Sequence, residues 1–151
     1  MKIESEFLFA GSRVKLWELL LDPEIMAKAI PGTESLEKVS EDEFKGVMSV
    51  GVGPVNGKFS IELKLTDMIA PESYNMNIFA KGAPGFLKGT ARIELYEKSE
   101  NETIMKYSAD LNIGGKIAIV GQRLLDTIGK SMTNQALESL NRELQNRLNQ
   151  E

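Results

Sequence analysis

The period at which apolar residues recur changes three times along this chain, and the changes mark its elements. Residues 2–9 alternate loosely, with Ile3, Ser5, Phe7 and Phe9 set against Lys2, Glu4 and Glu6, which reads as a half-buried first strand. Ser12 then caps a helix reaching Leu21, with Val14, Leu16, Trp17, Leu19 and Leu20 on its apolar side. Asp22-Pro23 starts a second short helix that ends before Pro31-Gly32, with the proline at a first-turn position where its missing N–H costs nothing. From about residue 34 to 113 the period is close to two. Strands are expected at 34–39, 43–51, 55–66, 72–81, 85–97 and 103–113. The stretch 55–66 is the cleanest, with Val55, Gly57, Phe59, Ile61, Leu63 and Leu65 on one side and Asn56, Lys58, Ser60, Glu62, Lys64 and Thr66 on the other. Alternation this regular belongs to antiparallel strands with one covered and one wet face.

After Gly114-Gly115 the period becomes helical and stays so to the end. Ile117, Val120, Leu124, Ile128, Met132, Ala136, Leu140, Leu144 and Leu148 recur mostly every fourth residue. Steps of four drift ~40° each against a 3.6-residue turn, so the stripe winds slowly, as on a long helix crossing a curved sheet. Gly121 and Gly129 fall inside this expected helix, each at a cost of about 1 kcal/mol relative to Ala. They read either as close approaches to a strand or as volume left for a ligand. The element order predicts an α+β fold: seven antiparallel strands wrapped around a long C-terminal helix, with two short helices between strands one and two. No linker or repeat divides residues 1–151, which read as one domain.

Composition narrows the chemistry. With 42 % hydrophobic and 26 % charged residues the chain is ordinary globular material. A net charge of −4 argues against nucleic acid as a partner. The sequence contains neither Cys nor His, so thiol chemistry, imidazole catalysis and Cys/His metal sites are excluded. The N-terminus carries acids where a signal peptide needs an apolar run, and no stretch is long enough to span a membrane, so a cytoplasmic protein is expected.

One end of the expected sheet differs from the other. Its segments are Gly51-Val52-Gly53-Pro54-Val55, Lys81-Gly82-Ala83-Pro84-Gly85-Phe86-Leu87 and Ile113-Gly114-Gly115-Lys116-Ile117-Ala118-Ile119-Val120-Gly121, rich in both glycine and aliphatics. The turn Lys98-Ser99-Glu100-Asn101-Glu102 at the other end is charged. Turn-making explains the glycines but not the aliphatics, which point to an apolar mouth or a docking surface. Gly51-Val52-Gly53 and Gly82-Ala83-Pro84-Gly85 are not phosphate loops. They join strand to strand and lack the Gly-Lys-Ser/Thr ending. Acid clusters such as Glu41-Asp42-Glu43 read as solvated turns.

Several motifs occur in a specific joint order. They are Trp17-Glu18-Leu19-Leu20 with Asp22-Pro23-Glu24, Ile30-Pro31-Gly32, Gly51-Val52-Gly53-Pro54-Val55 before Gly57-Lys58-Phe59, Lys81-Gly82-Ala83-Pro84-Gly85-Phe86, Gly114-Gly115-Lys116 and Val120-Gly121-Gln122-Arg123-Leu124. On these residues the chain, from about Met1 to Leu148, resembles the CoxG family of carbon monoxide dehydrogenase subunits, within the START-like (SRPBCC) helix-grip superfamily. The resemblance implies an apolar cavity between sheet and long helix. It also implies a non-catalytic accessory protein of a molybdenum hydroxylase or carbon monoxide dehydrogenase, holding a quinone or similar lipid and working peripherally at the inner membrane face.

A long apolar ligand would then pass a mouth at Pro54, Pro84, Phe86, Ile117, Val120 and Leu124. It would lie against Phe59, Ile61, Leu63, Tyr74, Met76, Ile78, Tyr107, Ile128 and Met132. Tyr74 or Tyr107 would hydrogen-bond a ligand carbonyl while its ring packs on the ligand. No metal or resident cofactor is expected. Two alternatives stay open. One is a small cyclase- or hydrolase-like enzyme using a tyrosine as acid, although the expected inward faces of strands four to seven show no obvious carboxylate. The other is a ligand-free docking module built on the apolar loops.

Overall fold

The computed structural model describes residues 1–150; the Val52 side chain, one of the aliphatics of the first glycine-rich turn, lies outside that description. The chain runs β1 (Lys2–Phe9), α1 (Arg13–Leu20), α2 (Pro23–Ala29), β2 (Thr33–Lys38), β3 (Glu43–Val52), β4 (Val55–Ile69), β5 (Ser73–Gly82), β6 (Gly85–Ser99), β7 (Glu102–Gly114), a 3-10 turn (Lys116–Val120) and α3 (Gln122–Asn149). The strands form one antiparallel sheet in the order β1-β7-β6-β5-β4-β3-β2. This is the architecture the periodicity predicts.

The period-two pattern sets the inner face because side chains on a strand point alternately to its two sides. Register then aligns inner residues in rows across the sheet. Ile61 pairs with Ala80, Ala80 with Leu87 and Leu87 with Ile113. One row further from the glycine-rich turns than Met76 and Leu65, Tyr74 pairs with Ile93 and Ile93 with Tyr107. β4 runs three residues past the clean alternation. The pairing shifts between Thr66 and Ile69, where Asp67 takes a positive φ of 50°, so parity is lost and Met68 and Ile69 stay exposed.

The short helices are fixed at their starts. The Ser12 hydroxyl accepts the Lys15 N–H at 3.3 Å, and the Asp22 carboxylate accepts the Glu24 N–H at 3.0 Å just before Pro23. The C-terminal helix corrects one expectation. Gly121 does not lie inside it but between the 3-10 turn and α3, at φ 97° and ψ 152°, a conformation essentially reserved for glycine. The helical periodicity of 117–121 therefore belongs to a separate turn. Gly129 does lie inside α3, and a Cβ there would stand 3.1 Å from Ile3 Cδ1. Close packing on β1 accounts for it.

At ~1.5 Å per residue the 28-residue α3 is about 42 Å long and crosses the whole inner face. It packs on two apolar clusters in turn. The upper cluster, nearest the glycine-rich turns, contains Phe59, Ile61, Ala80, Ile117 and Leu125. The lower one joins α1, α2 and α3 to the sheet through Phe9, Leu16, Trp17, Leu137, Leu140 and Leu144. Leu144 is fully buried there against Gly11, whose carbonyl accepts the buried Thr103 hydroxyl at 2.9 Å.

Candidate functional site

Within the lower cluster the helices stand off the sheet and leave an apolar cavity of about 220 Å³. β3 to β7 supply its floor through Phe44, Leu63, Leu65, Tyr74, Met76, Ile93, Met105 and Tyr107. Leu20, Pro23, Met26, Ala29, Ile30 and Leu36 wall it on the α1, α2 and β2 side, and Met132, Thr133, Ala136, Leu137 and Leu140 of α3 roof it. Pro23, Met26, Ile30 and Leu36 on one side, and Met132, Thr133 and Ala136 on the other, are half-buried, so the cavity opens where α2 and β2 face α3. The Arg147 guanidinium, in the last turn of α3, holds the Asp22 carboxylate at 3.2 Å and ties down the start of α2 beside that opening.

Polar groups in this cavity are few. The Thr133 hydroxyl is used internally, donating to the Gly129 carbonyl at 2.8 Å. The Tyr74 and Tyr107 hydroxyls make no hydrogen bond with any described residue, yet neither oxygen is sealed from access. A buried phenol normally finds a partner. Burial pushes the Tyr74 hydroxyl well above its ordinary pKa, and the neighbouring Tyr107 phenol adds to the shift. Burial raises Tyr107 as well. Both are therefore neutral donors at physiological pH, and the lining holds no carboxylate, amine or guanidinium. The ring of Trp17, the single tryptophan, meets Tyr74 edge-on at 5.5 Å behind the cavity wall. No cluster of three or more metal-ligating acids exists among the described residues.

Of the residues singled out from the sequence, Leu63, Tyr74, Met76, Tyr107 and Met132 meet at this cavity. The others lie elsewhere. Phe59, Ile61 and Ile117 are buried in the upper cluster, with Val120 and Ile128 packed half-buried against it. Ile78 packs on a third cluster formed by Ile3, Ala91, Ala109 and Leu111. Pro84 is buried in the β5–β6 turn, where its carbonyl accepts the Ile117 N–H at 2.8 Å. Pro54, Phe86 and Leu124 are exposed at the tip of the sheet. The expected mouth at the glycine-rich end is thus plugged by the upper cluster, and the opening lies beside α2.

Sequence reasoning missed the α2 and β2 wall. Its signal was Pro23, Met26 and Ile30 at spacings of three and four, an apolar helix face that strand parity alone leaves without a partner.

An antiparallel sheet closed by one long helix over an apolar cavity is the START-like helix-grip fold. The fold of this chain matches a START superfamily protein from Mycobacterium smegmatis (TM-score 0.74, 9 % identity, 96 % of this chain and 97 % of that one). It also matches the Zhui aromatase/cyclase from Streptomyces sp. R1128 (TM-score 0.73, 15 % identity, 98 % and 95 %). Much nearer in shape is a conserved protein from Geobacillus kaustophilus, at TM-score 0.91 and 28 % identity over 97 % of this chain and 96 % of that one. The profile of the carbon monoxide dehydrogenase CoxG family matches residues 6–145, and the chain belongs to that family. No curated protein matches it in sequence. Among the described residues no helix is long and apolar enough to cross a membrane.

Proposed function

We propose that this protein is a non-catalytic accessory component that carries a quinone- or lipid-like molecule in the cavity between α3 and the sheet. It would serve a molybdenum-dependent carbon monoxide dehydrogenase or related hydroxylase from the cytoplasmic side of the membrane. The observation that carries this reading is the pair of accessible, unpartnered tyrosine hydroxyls in an otherwise apolar cavity. A pure hydrocarbon would leave both donors unsatisfied, whereas a ligand with one or two carbonyl oxygens satisfies them. In this reading Leu63, Tyr74, Met76, Tyr107 and Met132 touch the ligand. The buried residues of the upper cluster close the neighbouring end.

The volume bounds the occupant. A cavity of ~150 Å³ takes up benzene. At about 220 Å³ this one suits one or two fused rings, with any tail leaving through the α2 opening. Burying about 150–250 Å² of ring at ~25 cal/mol/Å² contributes about 4–6 kcal/mol, and each hydrogen bond about 1 kcal/mol more. A ring system alone should therefore bind with a Kd of roughly 1–100 μM.

Acid–base catalysis finds proton donors here but no base: both phenols stay protonated and no carboxylate faces them. The likeness to an aromatase/cyclase is one of fold.

Trp17 provides the assay, because a bound quinone lies one ring away and quenches it. Titration with 1,4-naphthoquinone should give saturable quenching in that range, weakened in Tyr74→Phe and Tyr107→Phe. Linear, collisional quenching identical to that of free tryptophan would overturn the proposal.

A further inference from the structure

The end of the sheet that carries the glycine-rich turns is apolar at its apex and basic around it. Ile119 is 83 % exposed, Phe86 45 % and Leu124 39 %. They come from the 3-10 turn, the start of β6 and the first turn of α3, and the chain holds these segments together. The Ile117 N–H bonds the Pro84 carbonyl, Gly115 sits on Gly85, and a Cβ on Gly53 would lie 3.9 Å from Leu124 Cδ2. Each exposed apolar residue has a cation near it in sequence: Lys81 for Phe86, Lys116 for Ile119 and Arg123 for Leu124.

All three cations are exposed and make no ion pair with described residues. Lys58, also at this end, is held by Glu34 at 3.2 Å. The remaining acid nearby, Asp126, accepts a hydrogen bond from Gln122. At the opposite end the turns carry Glu41, Asp42, Glu72, Glu100 and Glu102 against Lys98, and Arg13, also there, is held by Glu72 at 3.9 Å and Glu97 at 3.8 Å. An acidic chain of net charge −4 thus presents one basic, apolar tip.

We propose that this tip docks on an anionic lipid bilayer, with Ile119 and Phe86 entering the headgroup region and Lys81, Lys116 and Arg123 resting on lipid phosphates. Isolated apolar apices flanked by cations suit a fluid interface that closes around each of them, with charge supplying the rest of the attraction. The inference rests on the membrane-side placement in the reading above and names the surface that achieves it. It is independent of what fills the cavity.

The test is flotation of the full chain with vesicles of phosphatidylcholine alone or with about a third phosphatidylglycerol. The protein should float with the anionic vesicles only and be released as salt is raised. Lys81→Glu, Lys116→Glu and Arg123→Glu should each weaken binding at least about fivefold, and Ile119→Ser should weaken it as well. Ile119 and the cations are on the surface, so these variants should keep wild-type circular dichroism and wild-type quenching of Trp17 by naphthoquinone. That quenching separates loss of the tip from loss of the cavity. Failure to float with either vesicle, or equal flotation of wild type and variants, overturns the proposal. Capture on a polyglutamate surface without any flotation would assign the tip to an acidic protein instead.

Discussion

Ala136 lies on the roof of the cavity, and its replacement by Leu distinguishes a real void from a collapsed one by sign. The substitution adds three carbons on the helix face that lines the cavity. At about 0.8 kcal/mol per buried methylene they contribute up to ~2.4 kcal/mol. Lost rotamer freedom and the partial exposure of this position bring the expected net gain to about 1–1.5 kcal/mol. For a domain of this size each kcal/mol moves Tm by about 2–4 °C, so Ala136→Leu should melt about 2–6 °C above wild type. It should also lose more than about tenfold in naphthoquinone affinity, because the leucine occupies the space a ring would take. Thermal denaturation by circular dichroism, with the Trp17 titration beside it, measures both. If the space were already filled, the same leucine would overpack the core at a cost of about 1–3 kcal/mol and Tm would fall by several degrees. That result would refute the cavity.

Further outcomes follow from the same geometry. Tyr74→Phe and Tyr107→Phe should each weaken a carbonyl-bearing ring about three- to tenfold while leaving affinity for naphthalene unchanged, as read by the same titration. Because burial raises both tyrosines above their unfolded pKa of about 10, the folded state retains protons that the unfolded state releases. Stability should therefore be flat below about pH 10 and fall above it, and Tyr74→Phe should flatten that alkaline decline in a series of melting curves. Leu144→Ala removes a fully buried side chain from the joint between α3 and β1, and should cost about 2–5 kcal/mol, lowering Tm by about 4–20 °C.

The strands and short helices were legible because each rule that places them is local. Parity puts Phe59, Ile61 and Leu63 on one face of β4, and Ser12 and Asp22 announce their helices one residue ahead. The break at Gly121 was not legible, because a helical period continues through a 3-10 turn and only the positive φ interrupts it. The cavity was half legible for a related reason. Parity shows that Ile61 and Leu63 both point inward, but not that Ile61 is buried with Ile117 and Leu125 while Leu63 borders the cavity. That difference is set by how α1 and α2 prop α3 above the sheet, a property of three packed elements that no single segment encodes. The aliphatics at the glycine-rich end carried a real signal. They divide between the plug of the upper cluster, where Ile117 sits, and the exposed tip, where Ile119 and Phe86 sit.

Two neutral phenols and an apolar wall are held to bind a molecule with a ring-sized, carbonyl-bearing part. Native mass spectrometry of the full chain, purified without detergent from cells that make quinones, tests this most directly. One adduct per chain is expected, removed by organic extraction, restored by added naphthoquinone and missing from Ala136→Leu. A spectrum containing only the bare chain, unchanged when naphthoquinone is added, would contradict it.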